Sequence, residues 1–235
     1  MPAHIPITDS GLLRLLAWLS PSFPVGAYAY SHGAEYAVEC GKIKNHKDAA
    51  RWISFIIKFG SGRVDADIFI TSYLAADEEN MQQLLSVACQ AAAFKGTSEL
   101  ALESSAQGQA FLNAVLGAWP NELLLTYAKM LEKNKVDPAY GAVLGAASAF
   151  AGIGLEASLS AYLHAFSANI ASAIVRLVPL GQSDGQKIIA ELEPVITIAV
   201  PEAIDRDPAE TGSAAFMVDM MSMQHETQYS RLFRS

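Results

Sequence analysis

The chain is predicted to be all-α: a single compact multi-helix domain with a mobile N-terminus. Two observations carry that prediction. Apolar residues recur at i, i+3, i+4 and i+7 through most of the length, the period of a helix with one buried face. The one β-branched run, Val195-Ile196-Thr197-Ile198-Ala199-Val200, has no second run to pair with and is read as helix. At 235 residues, one large helical domain is simpler than two small ones. Residues 1–200 are assigned to the helical body, and residues 201–235 to a linker and C-terminal docking segment of the same domain.

Taken in order, Leu12, Leu13, Leu15, Leu16 and Leu19 mark a first apolar helix that stops before Pro21. Residues 21–26, Pro-Ser-Phe-Pro-Val-Gly, form a stiff loop because two prolines fix φ and restrict the residues before them. A second helix is predicted over 27–39, ending at Gly41. Asn45 offers an N-cap with Asp48 three residues on, and Ala49, Trp52, Ile53, Ile56, Ile57 and Gly60 then share one face. Further helices are expected at 65–76, 79–94 and 98–118, with Asn121 capping another that reaches Lys133. Asp137-Pro138 is a start signal, an N-cap acceptor followed by a proline at N1, for helices over 138–152 and 155–177. Val178-Pro179-Leu180-Gly181 ends the latter, and Ser183-Asp184-Gly185 begins the next. Pro201, Asp205, Asp207, Pro208 and Gly212 give 201–214 a linker composition. Met217, Met220, Met221 and Met223 then fill a last helix at core or contact-surface spacing.

Hydrophobic residues make up 51% of the chain and charged ones 17%, so either burial is extensive or apolar surface is kept for assembly. Between Asp137 and Arg176 the one charged residue is Glu156, which leaves uncharged runs at 138–155 and 157–175. Both have the length of a membrane span. The first, however, is mostly Ala and Gly, and the second holds Ser158, Ser160, His164, Ser167, Asn169 and Ser172, so a buried helix pair or subunit interface is preferred. A net charge of −8 argues against nucleic acid, whose phosphates require a basic face. Cys40 and Cys89 lie far apart, and Met1-Pro2-Ala3-His4 opens no secretory signal, so a reducing cytoplasm is expected.

The motifs of catalysis are missing. Gly41-Lys42-Ile43 lacks the upstream glycine and the hydroxyl of a phosphate-binding loop. Histidines at 4, 32, 46, 164 and 225 show no i, i+4 pair, so no metal ligands are assigned. Ser31-His32 places a hydroxyl beside an imidazole, but neighbouring helical residues point apart; a hydrolase built on them is the enzymatic rival. His32 and Glu35 sit at i, i+3 and read as a hydrogen-bonded pair, and His225-Glu226 as solvated or capping groups. No catalytic residue is assigned.

The C-terminal Tyr229-Ser230-Arg231-Leu232-Phe233-Arg234-Ser235 is the least ordinary segment. Residues 1–228 hold 14 Lys and Arg against 24 Asp and Glu, and this tail reverses the sign while adding two aromatics. Arg and aromatic side chains are the types that anchor interfaces. Two readings stand open: a docking element, or a tail folded back on its own core. Arg176, closing a long uncharged helix, is either a helix C-terminal cation or an interface residue.

Three segments resemble the UreF family of urease accessory proteins. They are Leu19-Ser20-Pro21-Ser22-Phe23-Pro24-Val25-Gly26 leading into Tyr30-Ser31-His32-Gly33-Ala34-Glu35, then Arg176-Leu177-Val178-Pro179-Leu180-Gly181-Gln182-Ser183-Asp184-Gly185-Gln186, and finally His225-Glu226-Thr227-Gln228 with the tail. Ala34 departs from the Leu of many members, and Ala27-Tyr28 from the commoner Gly/Ala-Phe. The resemblance implies an all-α, dimeric, cytosolic, non-enzymatic protein that holds no cofactor. It would help an assembled complex insert nickel into apo-urease, together with a UreD/UreH-type protein and the GTPase UreG. It further implies a tail that is loose in the free chain and ordered by the UreD/UreH-type partner. His225, Glu226, Tyr229, Arg231, Leu232, Phe233 and Arg234 are the candidate partner-binding residues, with Arg231 the anchor. Tyr30, His32, Glu35, Arg176 and Gln182 are candidates for the dimer or GTPase interface. The alternatives are an arginine supplied in trans to the GTPase, from Arg231 or Arg234, and a helical adaptor with no metal role.

Overall fold

Eleven α-helices make up residues 8–235, the part described by the computed structural model, and no strand occurs among them. They are α1 (Asp9–Trp18), α2 (Ala34–Glu39), α3 (His46–Phe59), α4 (Ser61–Asp77), α5 (Met81–Ala93) and α6 (Ser98–Ala118). The rest are α7 (Glu122–Asn134), α8 (Tyr140–Phe150), α9 (Leu155–Leu177), α10 (Gln182–Ile204) and α11 (Phe216–His225). Single 3₁₀ turns at Ala27–Ala29 and Pro208–Glu210 complete the chain. The mobility expected of the N-terminus concerns residues 1–7, which lie outside the described ones.

Five of the eleven α-helix starts follow side-chain cap chemistry. The side chains of Thr8, Asn45, Asn80, Thr97 and Asn121 each accept a first-turn backbone N–H that the helix cannot satisfy itself. Residues 195–200 are helical, inside α10. That helix runs through Pro194 and Pro201 to Ile204, so the connecting segment begins four residues later than its composition implied.

Three local expectations are corrected. The helix predicted over 27–39 is broken, because Gly26, His32 and Gly33 take left-handed φ values of 72°, 57° and 76°. The backbone groups a continuous helix would consume go elsewhere: Ser31 N–H donates to the Ser235 main-chain oxygen at 2.6 Å, and the Ala29 carbonyl accepts from Arg234 N–H at 2.8 Å. A side chain at Gly33 would place its Cβ 3.1 Å from the Ser222 backbone nitrogen, so α11 approaches this turn closely. Asp137 does not cap α8, which starts at Tyr140 behind Ala139. Instead α6 crosses there, with Ser104 Oγ accepting the Tyr140 N–H at 3.3 Å. The fourth helix begins at Ser61, four residues earlier than its apolar pattern, immediately after the bend at Gly60.

The centre of the fold is the contact of α8 with α4. An added Cβ at Gly145 would lie 2.4 Å from the Phe69 carbonyl oxygen, and one at Gly141 3.2 Å from that of Asp65. Small residues let the two backbones approach this far, and Ser72 Oγ bridges them by donating to the Ala142 carbonyl at 2.7 Å. Around this seam Phe69 stacks on Tyr162 and Trp18 meets Phe111 edge-on, both at 5.6 Å between centroids. The uncharged stretches are thereby accounted for: α8 is almost wholly buried, and α9 inserts Leu159, Leu163, Ile170 and Ile174 into the core. No helix among the described residues is long and apolar enough to cross a membrane.

Gly145→Val is expected to cost about 2 kcal/mol or more of stability, because backbone cannot yield as a flexible side chain does. Gly117→Ala, where an added Cβ meets nothing within 4 Å, is expected to leave stability unchanged or raise it by about 0.5–1 kcal/mol. Urea unfolding of both variants checks the contrast.

Candidate functional site: the C-terminal tail and its seat

The seat for the tail is acidic and buried. Glu35 lies in the first turn of α2, and Glu99 and Glu103 lie one turn apart on α6. All three are buried at 7% relative exposure. Two carboxylates at i, i+4 repel one another, and buried charge without a partner is costly. The surroundings of this trio therefore have to be cationic or rich in N–H donors.

His225, at the end of α11 and fully buried, answers two of them. Its Nε2 lies 3.0 Å from Glu35 and its Nδ1 2.8 Å from Glu99. An imidazole bearing a proton on each nitrogen donates to both. The tail supplies the other donors. Leu232 N–H and Phe233 N–H donate to Glu35 at 2.7 and 2.9 Å, and Arg231 Nη1 donates to Glu99 at 2.9 Å. Ser235 Oγ donates to Glu103 at 2.8 Å, while Ser31 Oγ and N–H both donate to the Ser235 main-chain oxygen. Phe233 is buried under the Arg176 guanidinium, whose carbon lies 4.4 Å from the ring centroid, a cation–π contact. Arg176 also donates to the carbonyls of Tyr28 at 2.9 Å and Ser172 at 3.2 Å, and partial burial pulls its pKa down.

The tail is thus seated on its own body, the second of the two readings, rather than loose as the resemblance implied. The physical reason is the unpaired acidity of the seat: without the tail, Glu35 and Glu103 each lose donors in a buried setting. Arg176, in the last turn of α9, pins the tail through Phe233 and the 27–29 turn through the Tyr28 carbonyl. Tyr229 is fully exposed, Leu232 and Arg234 are exposed, and Arg231 keeps much of its surface in solvent. Glu226 is exposed and accepts from Ser98 Oγ at 2.5 Å. Gln182 sits exposed at the start of α10, and Tyr30 is buried.

His32 does not pair with Glu35. Its Nδ1 lies 3.3 Å from Glu103 and its Nε2 2.5 Å from Ser61 Oγ, with Phe166 edge-on. Nor does it pair with Ser31, whose hydroxyl is committed to Ser235. Ser61, His32 and Glu103 follow the order of a hydroxyl–imidazole–carboxylate relay. The cavity beside Ser61 holds only about 40 Å³, which admits a water-sized group and no acyl substrate. His164, one of the polar residues of the 157–175 run, is exposed. Glu99 and Glu103 escaped sequence reasoning. The available signal was two carboxylates with Gln107 at four-residue spacing on one helix face, a pattern more often solvated.

The sequence profile of the UreF family matches residues 43–193. The chain belongs to the UreF family. It is 41% identical to the urease accessory protein UreF of Granulibacter bethesdensis over 227 residues, covering 97% of this chain and 95% of that protein. It is 42% identical over 225 residues to the urease accessory protein UreF of Methylorubrum populi, covering 95% and 98%. The namesake from Bradyrhizobium sp. is 43% identical over 224 residues, covering 95% and 92%. In this UreF-family chain the matched profile ends before α11 and the tail, whereas the full-length relatives extend over most of the chain.

His225→Ala leaves two buried carboxylates without their shared donor. It is expected to cost about 3 kcal/mol or more in urea unfolding and to expose the tail to tryptic cleavage at Arg231 and Arg234 before the body is cut.

Proposed function

We propose that this chain is a non-enzymatic scaffold of urease maturation that bridges a UreD/UreH-type protein and the GTPase UreG. Membership of a family of urease accessory proteins supports the setting. The observation that carries the bridging role is the seated tail. Its backbone, Phe233 and Ser235 face inward, while Tyr229, Leu232, Arg231 and Arg234 remain available to solvent. The outer face of α11, immediately before it, exposes Phe216, Met217, Met220 and Met223. Aromatic, Arg and adaptable Met side chains are what interface centres use. Residues 201–235 act as the docking segment of the one domain, and the UreD/UreH-type partner orders the exposed half of the tail. A homodimer working in the cytoplasm completes the reading, with Arg176, Gln182, Tyr30, His32 and Glu35 near the second interface.

Nickel is cargo of the assembled complex in this reading. No group of three or more His, Cys, Asp or Glu side chains among the described residues is placed to hold a metal ion. The ring nitrogens of His32 and His225 are engaged by side chains of this chain.

The alternative, a cation given in trans to the GTPase, is favoured by one contrast. The Arg234 guanidinium has no side-chain partner among the described residues, whereas Arg231 is held by Glu99. An Arg234→Ala complex with intact assembly and slowed GTP turnover by UreG would select it; unchanged turnover rejects it.

For the scaffold itself, Tyr229→Ala with Leu232→Ala touches no buried side chain. The pair is expected to weaken binding to the UreD/UreH-type protein by about 30-fold or more, about 2 kcal/mol, with unchanged thermal stability. Full complex formation by this variant in calorimetric titration would remove the docking role of the tail.

A further inference from the structure

On a different face, α3, α4, α9 and α10 enclose a cavity of about 300 Å³, at the lower bound of ligand-sized pockets. Its floor is apolar, from Ile57, Ala66, Leu163, Ala199 and Ala203, with the exposed Phe59 and Ile198 at its lip. Its polar wall is cationic. Three of the chain's 16 Lys and Arg, namely Lys58, Arg63 and Arg206, line it, against the single carboxylate of Glu202. This is a local reversal on a protein of net charge −8.

The two guanidinia are held from behind. Arg206 donates through Nη1 to the buried Asp67, and Arg63 donates through Nη2 to the Glu210 carbonyl at 3.1 Å. Neither makes another hydrogen bond among the described residues, Asp67 attracting Arg63 only through space, and Lys58 has no partner among them. Fixing a guanidinium by one edge leaves the rest of its fork preorganised for an oxyanion.

We propose that this cavity binds a compact organic carboxylate, its apolar stem on the Ile57–Leu163–Ala199 floor and its charge between Arg63 and Arg206, with Lys58 at the mouth. The same chemistry is offered by a free small acid or by an acidic side chain of a docked protein.

Calorimetric titration of the full chain at low ionic strength tests the site. Hexanoate is expected to bind, and hexan-1-ol and inorganic phosphate, which each lack one half of the chemistry, to bind at least tenfold more weakly. Arg63→Gln is expected to lower hexanoate affinity about tenfold, the weight of one charged hydrogen-bonding partner. Arg206→Gln is made together with Asp67→Asn, so that no buried carboxylate is left unpaired, and the same loss is expected. A blocked peptide, acetyl-Leu-Glu-Leu-amide, binding more tightly than hexanoate assigns the carboxylate to a protein segment, and the reverse to a free acid. Absence of hexanoate binding, hexanol or phosphate binding equally well, or unchanged hexanoate affinity in folded Arg63→Gln overturns the proposal.

Discussion

A single buried imidazole, His225, sits between two carboxylates and ties α11 and the tail to the rest of the molecule. It joins the end of α11 to Glu35 at the start of α2 and to Glu99 at the start of α6, with no solvent to screen the contacts. Burying three glutamates is unfavourable unless each finds donors, and here the donors arrive with α11 and the tail. The same contacts that neutralise the seat break the polypeptide at residues 30–33. Glu35 can receive the N–H groups of Leu232 and Phe233 only where the preceding turn has left the helical path, and the tail's backbone takes over the groups this frees. Tail, turn and α2 are therefore one cooperative unit.

That unit rests on a floor made by packing rather than charge. Gly141 and Gly145 bring α8 onto α4, and α6 crosses the start of α8 where Gly108 lies against the Pro138 carbonyl, at a distance that would leave a Cβ only 1.9 Å. Closeness there sets the position of α6, and so the depth at which Glu99 and Glu103 are buried. An uncharged, small-residue helix that resembles a membrane span in composition is in fact packed backbone to backbone in the core. Its apolarity records complete burial, and its low side-chain bulk records how close its neighbours come.

Much of the fold was legible from the residues. Asn45 and Asn121 announced their helices, and the prolines and glycines around 21–26 and 179–181 announced the breaks, because caps and turns act within three or four residues. The failures share one cause. Asp137-Pro138 is a sound start signal that loses to Ser104 of a crossing helix. Residues 27–39 have helical composition that loses to hydrogen bonds with the far end of the chain. In the site, His32 and Glu35 were read as a pair from their spacing and His225 as a solvated or capping group, and both readings fail: His225 is fully buried and His32 pairs elsewhere. His32 meets Ser61 and Glu103 rather than Glu35, and it stays apart from Ser31 as the sequence implied. Glu99 and Glu103 offered only their four-residue spacing, since a glutamate on an amphipathic helix is ordinarily solvated.

By itself, then, the sequence determined the helical class, most of the element starts, the absence of a phosphate-binding loop or a paired-histidine metal motif, and membership of the UreF family. It also singled out the tail by its charge and aromaticity. Only the tertiary structure decided where that tail goes, which glutamates receive it, and that a cationic cavity lies on another face. The physical reason is range. Helical periodicity and capping are settled between residues three or four apart, whereas His225 finds its two carboxylates 126 and 190 positions away. Contacts at such separations exist only once the core has brought α2, α6 and α11 together.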